Sequence, residues 1–192
     1  MPKILLHICC GPCAAFPLKY LRENFSAYDV TGYFYNPNIH PYKEFLRRLE
    51  ALELFAREAD LPLVIDRDYP LEEFLTNVIT SGGIENRCQV CYETRLQKTA
   101  RQAKAEGFDA FSATLLVSPY QKHELIRAAG EKAARENNVE FCYFDFRPGW
   151  QEGVNISREM NLYRQPYCGC IFSEKDRYYR KKEEVVSYAG RI

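Results

Sequence analysis

The chain has 192 residues, 46% of them apolar and 27% charged, which is the composition of a globular protein and excludes a disordered one. A chain of this length buries roughly 70% of its unfolded surface on folding, so it needs no disulfide staples. Twenty-six Lys and Arg balance 26 Asp and Glu, which excludes a strongly basic arm but leaves room for a local basic face.

Strand-like and helix-like stretches alternate as far as about residue 145. Lys3 to Ile8 and Val30 to Tyr35 read as strands, separated by a helical stripe of Ala14, Leu18, Leu21 and Phe25. Pro41 opens a helix that lines Phe45, Leu49, Leu52 and Ala56 along one face and stops near Leu61-Pro62. Leu63 to Ile65 is a third strand, and a helix from about Leu71 to Ile79 ends at Gly82-Gly83. The next helix is expected from Cys91 to Glu106, capped by Gly107; Asp109 to Thr114 and Val139 to Phe144 are the fourth and fifth strands, with a helix from Gln121 to Asn137 between them. Strands joined through helices pair in parallel with right-handed crossovers, so the fold class is α/β, a three-layer parallel sheet. Past Arg147-Pro148-Gly149-Trp150 the alternation breaks. A helix from Gln151 to Leu162, a Cys168-Gly169-Cys170 turn and a polar terminal helix form an appendage (about 146–192) to a core of about 1–145, within one domain.

Seven of the eight cysteines fall in three clusters. Cys9-Cys10-Gly11-Pro12-Cys13 follows the first strand, at the sheet end where open α/β folds bind ligands. Cys88 and Cys91 have the spacing that lets two thiolates reach one metal, and the positive end of the following helix favours thiolate; an idle surface pair or a redox motif are the alternatives. Neighbouring Cys9 and Cys10 can share one centre only where the chain leaves β geometry, which Gly11-Pro12 allows, whereas ordinary strand burial is the plainer reading of Cys9. Two pairs from separate segments make a four-thiolate site, for zinc or a 4Fe-4S cluster, and spacing does not choose between them. Cys168 and Cys170, one residue apart, read as a reducible dithiol or as further metal ligands. Cys142 reads as a small buried hydrophobe.

His7 and His40 are candidates for proton carriers or for hydrogen-bonded packing residues. Arg177, Arg180, Lys181 and Lys182 with Tyr178 and Tyr179, and a face of Arg95, Lys98 and Arg101, are candidate phosphate contacts or solvated helix surface. The start, Met1 to His7, lacks an apolar core with a cleavage site, and no run suits a membrane span, so a reducing cytoplasmic location is expected.

The combination of His7-Ile8-Cys9-Cys10-Gly11-Pro12-Cys13, Arg87-Cys88-Gln89-Val90-Cys91 with Arg95-Leu96, and Tyr163-Arg164-Gln165 before Tyr167-Cys168-Gly169-Cys170-Ile171-Phe172-Ser173 resembles the QueH-type epoxyqueuosine reductases. Tyr35-Asn36-Pro37-Asn38-Ile39 and Ser112-Ala113-Thr114-Leu115-Leu116 fit the same family, which usually has Ala where this chain has Gly11. The resemblance implies an adenine nucleotide α-hydrolase-like (HUP-like) fold and cobalamin-independent reduction of epoxyqueuosine to queuosine at the wobble position of tRNA. It implies a 4Fe-4S cluster on Cys9, Cys10, Cys88 and Cys91 and a redox-active pair, Cys168 and Cys170. Cys13 matches the motif as well, as candidate ligand of an adjacent mononuclear iron, and an electron donor is required. The competing readings are a tRNA thiolation enzyme on a related fold, against which stands Cys-Cys-Gly-Pro-Cys in place of a Ser-Gly-Gly-rich loop, and a zinc-stabilised RNA-binding module.

Overall fold

The computed structural model describes residues 1–81 and 83–179. Five parallel strands, β1 (Lys3–His7), β2 (Asp29–Phe34), β3 (Leu63–Ile65), β4 (Ala110–Ala113) and β5 (Glu140–Phe141), form one sheet in the order β3-β2-β1-β4-β5. β1 is the central strand, with His7 in register with Tyr33 on one side and Ala113 on the other. Ile4, Leu5 and Leu6 have no exposed surface, as expected of a parallel strand covered on both faces.

Helices α1 (Gly11–Asn24) and α2 (Tyr42–Glu58) pack together, as do α4 (Arg87–Ala105) and α5 (His123–Asn137), giving the three layers. α3 (Leu71–Thr80) rests on α4, α6 (Trp150–Glu159) on α1, and α7 (Ile171–Tyr178) closes the described chain. The strand order reverses between β1 and β4. A crevice therefore opens beyond their carboxyl ends, and Cys9 and Thr114 flank it: the Cys9 amide donates to Thr114 Oγ1 at 3.4 Å.

Two glycines set how closely helices approach. A Cβ on Gly11 would lie 2.5 Å from the Ala51 carbonyl oxygen, so α1 starts too near α2 to accept even an alanine there without movement. A Cβ on Gly149 would fall 2.1 Å from the Phe16 ring, which is how α6 comes to lie against α1.

Some element bounds differ from the sequence reading. α4 begins at Arg87, directly after a 3-10 turn at Ile84–Asn86, and so takes both Cys88 and Cys91 into its first turns. β5 is two residues long and not six. β4 ends at Ala113; its pairing with β5 covers Ala110 and Phe111, and past them the Cys142 carbonyl accepts from the Ser112 hydroxyl at 2.8 Å.

Candidate metal and redox site

The chain leaves β1 in extended geometry. Cys10, with φ −173° and ψ 162°, is the N-cap of α1, and helix starts at the next residue. The chain bends at Cys9, which interrupts the pleat alternation, and the Cys9 and Cys10 sulfurs lie 3.7 Å apart. One turn into α1, Cys13 joins them, so that the three sulfurs lie within 4.8 Å of one another. Hydrogen bonds from the Cys10 and Cys13 thiols hold the Cys9 pKa well below the usual thiol range. Burial pushes Cys10 up to about 12, and Cys13 is raised by its bonds to Cys10 and Cys9. Three converging sulfurs with no carboxylate among them form a soft donor set, suited to zinc or iron–sulfur chemistry and not to magnesium or calcium.

Cys88 and Cys91 are not part of that tight group; they are three residues apart on one face of α4, where the helix presents its positive end. Arg95 connects the two clusters. It is 1% exposed, its Nη1 lies 3.5 Å from Cys91 Sγ, its Nη2 donates to Asn36 Oδ1 at 2.9 Å, and its charge acts on Cys9, Cys91 and Cys168. Among the described residues Arg95 has no carboxylate partner. A buried guanidinium without an acid needs another anion, and the groups around it are sulfurs. Beside it His7 donates from Nε2 to the Tyr35 carbonyl at 3.0 Å while its Nδ1 is buried with no partner. Burial first, then Arg95, lowers the His7 pKa to about 3, so it is a neutral ring at working pH.

The third cluster is folded back over this end of the sheet. Arg48 on α2, also 1% exposed, pairs with Glu44 at 2.8 Å and donates to the Cys168 and Tyr167 carbonyls at 2.8 and 3.0 Å. Gly169 has φ +137°, a conformation closed to side-chain-bearing residues, and a Cβ there would stand 2.9 Å from Arg48 Nη1. Its carbonyl accepts from the His40 amide at 2.8 Å, and the His40 Nδ1 accepts from the Ile171 amide at 3.3 Å. Cys168 and Cys170 are free thiols. Gln121 donates to the first at 3.3 Å, and the Ser173 amide donates to the second at 3.4 Å. Gln165 donates to Cys10 at 3.0 Å and Cys13 at 3.7 Å, tying this segment to the triad.

All three clusters therefore gather at one end of the sheet, through Arg95, Arg48 and Gln165. Cys142 is buried just past β5, apart from them, as a packing residue. His40 serves as a hydrogen-bonded anchor for the cysteine turn. Of the candidate face of Arg95, Lys98 and Arg101, Arg95 is interior, Lys98 is paired with Asp66 at 3.2 Å and Arg101 is exposed, which leaves solvated helix surface as the reading of the outer two. Arg180, Lys181 and Lys182 lie outside the described residues. Arg48 and Gln121 escaped the sequence reading. Position 48 lies on the apolar face of α2 beside Phe45, Leu49 and Leu52, with an acid four residues earlier, and a buried ion pair was legible there.

Residues 4–176 match the family model described as epoxyqueuosine reductase QueH. A protein of that name from Dehalococcoides mccartyi is 40% identical over 177 residues, covering 92% of this chain and 95% of the relative. The one from Thermotoga maritima is 34% identical, covering 97% of each chain, and the one from Streptococcus pyogenes is 34% identical, covering 91% of this chain and 71% of the relative.

Proposed function

The chain belongs to the epoxyqueuosine reductase family QueH, and from that premise we propose that its three cysteine clusters work as one iron–sulfur redox site acting on tRNA. The reaction is the two-electron removal of the epoxide oxygen of epoxyqueuosine, giving an alkene and water. Cys9, Cys10, Cys88 and Cys91 would hold a 4Fe-4S cluster, with Cys13 placed to bind an adjacent iron. When bound, such groups supply one-electron transfer and Lewis acidity. The observation that carries the reading is Arg95, a buried cation facing thiols with no carboxylate among the described residues to neutralise it.

The chain's own residues do the rest. Cys168 and Cys170 close to a disulfide, releasing two electrons and two protons, which balances the conversion of epoxide to alkene and water. Arg48 and Gly169 hold that dithiol at the crevice. A donor outside the chain must then reopen the disulfide. The segment from about residue 146 belongs to the same functional unit as the core, because Gln165 reaches back to the triad. None of the described helices is long and apolar enough to cross a membrane, and the proposed location is the cytoplasm, where a tRNA substrate would be met.

The test is anaerobic purification followed by iron and labile-sulfide analysis, with mass spectrometry of tRNA nucleosides after incubation with the reduced protein. Iron with sulfide, and queuosine formed from epoxyqueuosine, are expected; zinc alone would instead support an RNA-binding module. Cys88→Ser should lose the cluster's visible absorption together with activity, and a full cluster in that variant would refute the ligand assignment. Cys168→Ser should keep the cluster and lose turnover.

A further inference from the structure

Beside the cysteine triad a cleft of about 100 Å³ opens between the start of α1 and α6, walled by Pro12, Cys13, Val117, Trp150, Arg164 and Gln165. That is well below the roughly 300–1,000 Å³ of sites that enclose a whole ligand, so it admits one small ring and leaves anything larger outside. Gln165 divides the cleft from the sulfurs. Its amide nitrogen is committed to Cys10 and Cys13, while its Oε1 is buried with no partner, an acceptor waiting for a donor. At the outer edge Trp150 meets Tyr120 edge-to-face, with ring centroids 6.0 Å apart, and Tyr120 is 83% exposed. Arg164 is exposed and in no ion pair among the described residues, whereas the acid on this side of α6, Glu152, is taken up by Lys19.

We propose that this cleft is the mouth through which the modified nucleotide is read, an inference that rests on the tRNA reading above. The epoxide-bearing ring enters beside Cys13 and donates a hydroxyl hydrogen bond to Gln165 Oε1. The base is too large for the cleft and stacks on the Trp150–Tyr120 pair, and Arg164 takes the neighbouring phosphate. The partner is a single-stranded loop of RNA, since only an unstacked base can offer its face to an aromatic side chain.

Trp150 is the chain's only tryptophan, so its fluorescence reports on this cleft alone. The experiment titrates the protein with an anticodon stem-loop carrying epoxyqueuosine and follows tryptophan emission alongside the anisotropy of labelled RNA. Quenching with the same midpoint as the anisotropy change is expected. Tyr120→Ala and Arg164→Ala should each weaken binding about tenfold without changing iron content. Both residues are exposed, so their loss does not threaten the fold. RNA binding that leaves Trp150 emission and both variants unaffected would overturn the cleft and spare the tRNA reading. No RNA binding at all would remove both.

Discussion

Two buried arginines behave differently at this site because of what stands beside them. Arg48 has Glu44 at 2.8 Å, a self-contained pair, and its remaining donors fix the backbone of the cysteine turn. Arg95 has Cys91, Asn36 and His7 around it and no acid among the described residues, so its charge is left for the thiolate centre. Removing a positive charge next to a redox centre disfavours the more negative reduced state. Arg95→Met should therefore shift the cluster potential downward by on the order of 100 mV, taking a few kcal/mol at an effective dielectric near 20 and ~59 mV per tenfold for one electron. Redox titration of the loaded protein measures the shift, and Arg95→Lys should recover part of it. An unchanged potential would mean that Arg95 only fills space. At Arg48 the expected loss is of fold. Arg48→Met leaves the buried Glu44 carboxylate without its counter-charge, with only the Tyr163 hydroxyl donating to it, and should cost about 3–5 kcal/mol in denaturant unfolding, with faster amide exchange over Tyr167–Ser173.

Among the elements, α6 decides whether the cleft beside the triad exists, and its position depends on one missing methyl group. Gly149 lets the start of α6 sit against the Phe16 ring, with the hypothetical Cβ atom only 2.1 Å from that ring. Gly149→Ala should destabilise the protein by about 1–3 kcal/mol through overpacking, and Phe16→Leu should relieve part of that cost in the double variant. Additive losses in equilibrium unfolding would show that the two positions are not in conflict. The other helices were readable because periodicity reports directly on burial: α2 shows its Phe45, Leu49, Leu52 stripe, and the continuous apolar run of β1 announces a strand covered on both faces. The early start of α4 was not readable. The 3-10 turn at Ile84–Asn86 feeds straight into the helix at Arg87, and a lone Asn86 before it, though of a type favoured at helix starts, is too common a residue to mark one. The site was legible as three groups of cysteines, but the side chains that join them were not. Arg48 to Cys168 spans 120 residues and Gln165 to Cys10 spans 155, and no local pattern predicts such partners. The same holds for Arg95, whose spacing with Lys98 and Arg101 suggests a charged surface until the fold turns it inward.

At the scale of the molecule, two histidines at this end of the sheet, His7 and His40, are buried as neutral rings, and this makes stability depend on pH. His7 titrates near pH 6.5 in an unfolded chain but at about 3 in the fold, because burial and the Arg95 charge both oppose its protonation. His40 is lowered in the same direction, by burial. Below pH 6.5 the unfolded chain binds protons that the folded chain refuses, so the contribution is complete above that value and lost as pH falls towards 3. His7 alone should cost the metal-free protein roughly 2 kcal/mol between pH 6.5 and 5, at ~1.4 kcal/mol per pH unit. Equilibrium unfolding in urea at a series of pH values measures this directly, and His7→Gln, which has no ring to protonate, should flatten the profile over that interval. A wild-type curve that is level from pH 7 to 5 would show that the His7 ring accepts a proton in the folded state, and that the Arg95 charge is already cancelled by a sulfur anion before any metal binds.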